Sequence, residues 1–234
     1  GSDIGRAVAD RFARAGFDLI LAARRPHENV GDKCDIEIRH GVKIQVVEFD
    51  AAAFETHATF YSTLPIMPDV VLYAIGYLGD QVKAQNDWGE TERTIITNYS
   101  GAVSILSIIA NDFESKKSGA IIGISSVAGD KGRKSNYIYG SAKAGFSAFL
   151  SGMRHRLAEQ NIHVLTVKPG FVATKMTEGM NLPARFTATP EMLAEAIFAA
   201  YESKKHVIYY LPIWRSIMSA IRNLPERIFI KTKF

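Results

Sequence analysis

The stretch Ser125–Lys143, SSVAGDKGRKSNYIYGSAK, decides how the rest of the chain is read. It follows an apolar run of strand length, Ala120-Ile-Ile-Gly-Ile-Ser125, and ends with Tyr139 and Lys143 four residues apart. On a helix that step puts the phenol and the ammonium on one face, about one turn apart. A free tyrosine titrates near ~10 and exchanges protons poorly at neutral pH, whereas a fixed cation beside it stabilises the phenolate. Ser126 lies thirteen residues before Tyr139, at the carboxyl end of the apolar run, where a hydroxyl is well placed to hold a substrate oxygen. A Tyr and a Lys at this spacing also occur on solvated helix faces, so the pair alone is a weak motif. The serine at a strand end makes the three a candidate catalytic set.

With 234 residues and no linker, repeat or low-complexity tract, the chain fits one α/β domain with a sizeable core. Its single cysteine, Cys34, rules out an internal disulfide and suits a reducing compartment. The histidines (His27, His40, His57, His155, His163, His206) are scattered, and none pairs at ligand spacing with a Cys or carboxylate cluster, so no metal is expected. No continuous apolar run reaches ~18 residues and no signal peptide is evident, which predicts a cytoplasmic protein without a membrane span. The chain opens at Gly1-Ser2-Asp3-Ile4-Gly5 with neither Met nor a preceding strand, so the first strand of the fold is expected upstream of Gly1.

Gly1 to Gly5 leads into an amphipathic helix with Ile4, Val8 and Phe12 at four-residue spacing, as a phosphate-binding turn meets a helix N-terminus. Asp18–Ala23 reads as a strand, followed at once by Arg24 and Arg25. Such arginines form either a solvated turn or a fork for a phosphate. Further strands are read at 43–49, closing on Asp50, at 68–76, ending in Gly76, at 163–168 and at 206–211. A long helix is predicted from Glu92 to Glu114 with Asn98 inside it, a residue whose amide competes for the backbone. Another should run from the Tyr139 segment to about Gln160, with small residues such as Gly140, Ala144, Gly145 and Gly152 that serve either an oligomer interface or a tight seat on the sheet. Residues 175–189 show no periodicity and read as a loop over the site, and Thr189-Pro190 then starts a helix. Strands and helices alternate throughout, which predicts a mostly parallel, doubly wound sheet flanked by helices.

The ordered set of these pieces resembles the short-chain dehydrogenase/reductase family along essentially the whole chain, and its Rossmann-like α/β fold is implied with it. The resemblance implies that Ser126 holds a carbonyl oxygen, Tyr139 donates the proton, Lys143 tunes the tyrosine and binds nicotinamide ribose, and Asn98 anchors a proton relay. It places Ser2, Asp3 and Ile4 in the phosphate-binding turn, with Gly5 on the family's last glycine and Asp3 where a glycine is usual. It puts Asp50 at the adenine and Gly76 at the turn usually written Asn-Asn-Ala-Gly, where only the glycine matches. Pro169, Gly170, Val172 and Thr174 match the run that cradles the nicotinamide. Arg24 and Arg25, where an acidic residue would select NAD, imply NADP(H). Tyr73–Gln81, Ser125–Arg133 and Leu224–Phe229 further resemble bacterial reductases of polyprenyl-phosphoryl 2-keto-pentoses, which implies a lipid-linked keto sugar and a part in cell-envelope biosynthesis. A reductase of acyl or small ketones and a non-catalytic NADP-binding regulatory or scaffold protein are the alternatives, the latter disfavoured because both Tyr139 and Lys143 are present.

The last 22 residues, 213–234, are read as a basic amphipathic tail appended to a domain spanning 1–212. Arg215, Arg222, Arg227, Lys231 and Lys233 stand there against Glu226, so the tail carries the whole net charge of +4 and the remainder is neutral. Trp214, Ile217, Met218, Ile221, Leu224, Ile228 and Phe229 form its apolar stripe. That pattern suits a helix on an anionic membrane surface, at the inner face of the membrane, or a terminal helix packed on its own domain or a partner subunit. The partners expected are thus a small-molecule or lipid-linked carbonyl compound, a membrane surface and a second copy of the chain, with no nucleic acid.

Overall fold

A computed structural model describes residues 2–232; Gly1, the tail's Lys233 and Phe234 lie outside the described residues. Helix α1 (Asp3–Ala13) starts where the Ser2 hydroxyl accepts a hydrogen bond from the Gly5 N–H at 3.2 Å, and buries Val8 and Phe12. Strand β1 (Leu19–Ala23), helix α2 (Val30–His40) and strand β2 (Ile44–Glu48) follow. Helix α2 is absent from the sequence reading, because only Ile36 along it is buried and its apolar period is correspondingly faint. Then come α3 (His57–Ser62), β3 (Val70–Tyr73), α4 (Gln81–Ala84), α5 (Trp88–Ile95), α6 (Gly101–Lys116) and β4 (Gly119–Ile124). Helix α7 (Tyr137–Leu157), β5 (Ile162–Pro169), β6 (Phe171–Val172), β7 (Thr187–Ala188), α8 (Pro190–Glu202), β8 (Val207–Tyr210), α9 (Ile213–Asn223) and α10 (Glu226–Phe229) complete the order.

All recorded strand pairs are parallel. Strands β3, β4, β5 and β8 form one four-stranded sheet in that order, and β1 and β2 a separate pair. Among the described residues the sheet is divided between β1 and β3. Both of those strands line a single cavity of about 2280 Å³, larger than the ~300–1,000 Å³ usual for one ligand, because a cleft and the slot between the strands run together. The core lies on both faces of the sheet. One side packs Leu106, Phe113, Phe146 and Leu150, the other Phe12, Leu165, Leu193 and Ile197. The alternation read from the sequence is therefore the doubly wound arrangement observed.

The continuous helical run Trp88–Lys116, 29 residues, is long and apolar enough by length and composition to cross a membrane. Its apolar residues Ile105, Leu106, Ile109 and Phe113 are buried in the core, so the run serves as a core helix of the sheet. It is not one regular α-helix either. Residues Ile96–Ser100 form a π-helical turn between α5 and α6, with Asn98 in it.

Two of the small residues of α7 seat it on its own domain, whereas Gly152 is exposed and a Cβ there would meet nothing within 4 Å. A Cβ on Gly140 would stand 2.9 Å from the Ala128 carbonyl oxygen, and one on Gly145 would meet the Tyr99 ring at 3.3 Å. Of the tail, helix α9 buries Trp214, Met218 and Ile221 against Val127, Phe171, Phe186 and Tyr209. Most of the apolar stripe is thus engaged within the domain, while Ile228 and Ile230 remain exposed beside Arg227 and Lys231. A chain ending at Pro212 is expected to lose roughly 3 kcal/mol or more in urea unfolding, since each fully buried large side chain contributes ~1.5–3 kcal/mol. An unchanged urea midpoint would show that the tail adds nothing to the fold.

Candidate active site

Strand β4 delivers Ser126 to the carboxyl edge of the sheet, and α7 brings Tyr139 and Lys143 alongside it. Ser125 fixes the register between them: its hydroxyl donates to the Lys143 carbonyl at 3.0 Å and lies 2.7 Å from the Ser147 hydroxyl. A Cβ on Gly129 would stand 2.7 Å from the Ala144 nitrogen, so the serine loop and α7 touch backbone to backbone. The exit of that loop is anchored too. The Asp130 carboxylate accepts from Lys168 at 2.5 Å and from the Tyr209 hydroxyl at 2.8 Å, joining it to β5 and β8. Sequence reading missed Ser125 and Asp130, because their partners lie 18 to 79 residues away along the chain.

Ser126, Tyr139 and Lys143 line the same cavity. The Ser126 hydroxyl accepts from the Ala128 N–H at 3.1 Å. Burial pushes the Tyr139 phenol up to about 12, and the hydrogen bond with Ser126 works the opposite way. Burial also brings the Lys143 ammonium down to about 7. Lys143 is only 3% exposed; its Nζ donates to the Ile124 carbonyl at 3.1 Å and lies 5.8 Å from the centre of the Tyr139 ring. Burial in this site therefore favours the uncharged form of both groups near and above neutrality, a serine–phenol–amine set in low dielectric.

Asn98 is fully buried. Its Nδ2 donates to the Tyr77 carbonyl at 2.6 Å and the Thr94 carbonyl at 2.8 Å, while its Oδ1 accepts from the Tyr77 N–H at 3.2 Å. The π turn explains why an asparagine is tolerated in mid-helix, since its amide takes up the backbone carbonyl that the widened turn releases. Through Tyr77 it holds the segment after β3, including Gly76. A Cβ there would stand 3.2 Å from Asn98 Oδ1 and 3.6 Å from Lys143 Nζ, so Gly76 lets the two side chains approach.

Ser2, Asp3, Ile4, Arg24, Arg25, Asp50 and Gly76 line the same cavity around the start of α1 and the ends of β1, β2 and β3. Within this group the roles separate. Ser2 caps α1, and the Asp3 carboxylate accepts from the Lys175 N–H at 2.7 Å, closing the start of α1 onto the segment after β6. Arg25 is paired with Glu28 at 2.7 Å, which raises its proton affinity further. Arg24 is exposed and has no carboxylate partner among the described residues. A free guanidinium, a helix N-terminus and a glycine where a Cβ would crowd Asn98 fit a dinucleotide.

Pro169, Gly170, Val172 and Thr174 line the cavity across from this group. Gly170 has a second reason to lack a side chain, since a Cβ there would collide with the Trp214 indole. Thr174 caps a short 3-10 turn, Lys175–Thr177, in a reciprocal box with Thr177. The segment read as an unstructured loop contains this turn, a second one at Ala184–Phe186 and strand β7, which pairs with β6. Those elements were too short to show a period. Beside the serine–tyrosine–lysine set the cavity wall is apolar, with Val127, Phe171, Met176, Met180 and Trp214, and it becomes polar toward Gln81, Arg133 and Asn136.

A parallel, doubly wound sheet with serine, tyrosine and lysine at its carboxyl edge and a cleft at the start of α1 defines an oxidoreductase of the dinucleotide-binding α/β class. The family model for short chain dehydrogenase matches residues 1–184, and the chain belongs to that family. It is 35% identical over 230 residues to an uncharacterized oxidoreductase of Mycobacterium tuberculosis strain H37Rv, covering 96% of this chain and 91% of that one. Among solved structures it resembles a short-chain dehydrogenase from Sphingobium yanoikuyae in complex with NADPH, at a TM-score of 0.82 and 21% identity over 99% of this chain and 93% of the other. It also resembles one from Burkholderia cenocepacia in complex with NADP, at a TM-score of 0.83 and 19% identity over 100% and 94%.

Proposed function

We propose that the protein reversibly reduces a carbonyl to an alcohol with NADP(H). The observation that carries this reading is the meeting of Ser126, Tyr139 and Lys143 on one cavity that Arg24, without a carboxylate partner among the described residues, also lines. The nicotinamide, when bound, supplies the hydride to the carbonyl carbon. Ser126 donates a hydrogen bond to the carbonyl oxygen and fixes its position. Tyr139 passes its phenolic proton to that oxygen as negative charge develops there, and the phenolate left behind favours the protonated form of Lys143 beside it, whose charge then lowers the cost of that phenolate. Asn98 keeps the turn at Gly76 in place so that Lys143 can reach this position. Following NADPH consumption against keto sugars, acyl ketones and simple diketones tests the reading; no turnover across the panel would refute it.

For the cofactor, the exposed cation at Arg24 supports NADPH over NADH, as does the cofactor named for both structural neighbours. Because Arg25 is already held by Glu28, Arg24→Ala should raise the KM for NADPH by about tenfold or more, the scale of one charge-assisted hydrogen bond, and Arg25→Ala by less. Equal KM values for NADPH in the two variants and the parent would discard this assignment.

The finer substrate reading, a keto sugar on a lipid carrier, draws on the apolar wall of Val127, Phe171, Met176, Met180 and Trp214 beside the reacting groups. Exposed Ile228 and Ile230 among basic residues would meet the membrane that holds such a carrier, from the cytoplasmic side. Co-sedimentation of the full chain with anionic but not neutral vesicles, together with turnover of a lipid-linked ketose above that of the free ketose, is the expected result.

A further inference from the structure

We propose that Arg133, flanked by Gln81 and Asn136, forms an anion subsite at the polar rim of the substrate cavity, where it seats a carboxylate or phosphate carried by the carbonyl compound. The identity of the group's carrier rests on the reductase reading; the subsite itself does not. Four buried side-chain polar atoms among the described residues lack a hydrogen-bond partner, and three of them, Gln81 Nε2, Arg133 Nε and Asn136 Oδ1, belong to this one cluster. The fourth, His163 Nδ1, lies on β5.

The three residues are held together at the start of α7. Gln81 Oε1 accepts from the Ile138 N–H at 3.1 Å, the Arg133 carbonyl from the Asn136 N–H at 3.0 Å, and the Asn136 carbonyl from the Gly140 N–H at 2.8 Å. This places them within one or two turns of Tyr139, in the same cavity. Arg133 forms no ion pair among the described residues. Its nearest acid electrostatically is Asp130, whose two carboxylate oxygens are already taken by Lys168 and Tyr209. Burial therefore disfavours the Arg133 cation, and Asp130 offsets this only in part. A guanidinium does not escape such a position by losing its proton; it is satisfied by an oxyanion that accepts two parallel N–H donors. Gln81 adds a further donor for the anion, and Asn136 an acceptor for a neighbouring hydroxyl. The positive end of α7, a helix of 21 residues, acts in the same direction.

The test uses the full chain, with NADP+ present so that phosphate cannot be taken up at the dinucleotide cleft. Xylulose 5-phosphate and xylulose are titrated by calorimetry into the parent and into Arg133→Gln and Arg133→Lys. In parallel, kcat/KM is measured for 5-oxohexanoate and its methyl ester. Binding of xylulose 5-phosphate without xylulose, lost in Arg133→Gln and partly kept in Arg133→Lys, assigns a phosphate seat. A fall of at least about tenfold in the acid-to-ester ratio of kcat/KM in Arg133→Gln assigns a carboxylate seat. The proposal is overturned if neither anion shows Arg133-dependent binding or discrimination. Arg133-dependent binding without turnover of any carbonyl would leave the subsite standing and count against the reductase reading.

Discussion

Tyr139→Phe is expected to lower turnover by roughly 10²- to 10⁴-fold, the range that a positioned proton donor contributes, while changing NADPH affinity little. The ring keeps its packing on α7, and only the hydroxyl beside Ser126 is removed. Burial holds the phenol near 12, so in the reducing direction it stands protonated and ready to donate at neutral pH. The reverse reaction requires phenolate, so alcohol oxidation should speed up with rising pH, whereas carbonyl reduction should not. Single-turnover reduction monitored at 340 nm, alongside NADPH fluorescence titration, separates the chemical step from binding. A Phe variant with near-parental turnover would remove Tyr139 from the mechanism.

Lys143→Met should abolish measurable turnover yet leave the cofactor-free protein as stable as the parent or more so at pH 7. Among the described residues the almost fully buried ammonium has one carbonyl as its hydrogen-bond partner and no carboxylate, and burial brings its pKa down to about 7. Methionine has similar length and carries no charge to desolvate. Between about pH 7 and the unfolded value near ~10.4, the unfolded chain binds a proton at this residue that the folded protein does not, so parental stability rises with pH by up to a few kcal/mol. The variant lacks that gain. Its advantage at pH 7 should therefore shrink by pH 9, as read from urea unfolding at both values. A variant clearly less stable at pH 7, or a difference independent of pH, would show that the amine is satisfied in the folded state. Stability given up for activity is the usual cost of a polar group in a buried site.

The local chain order was enough to determine the architecture, because each of its signals acts over a few residues. The apolar runs ending at Ala23, Phe49 and Ser125 became parallel strands within a residue or two, and the Thr189-Pro190 cap became the start of α8. The four-residue step from Tyr139 to Lys143 placed both on one face of α7 for the same reason. Even the disturbance at Asn98 was legible, since an amide in mid-helix needs a partner, and here the π turn supplies one.

Only the tertiary structure decided which charges are free and which surfaces are already covered, because those depend on partners far apart in sequence. Arg24 and Arg25 look alike along the chain, yet among the described residues only Arg25 is tied, to Glu28. Asp3 reads as a misfit in a glycine turn until its carboxylate is seen on the Lys175 N–H, 172 residues away. The tail reads equally well as a membrane helix or a packed one, and burial of Trp214 above Gly170 engages most of its apolar face within the domain. Arg133 lies inside the very stretch that defined the site, but no spacing rule distinguishes a paired arginine from an unpaired one. Desolvation and hydrogen-bond satisfaction are properties of the folded packing, and they single out this residue.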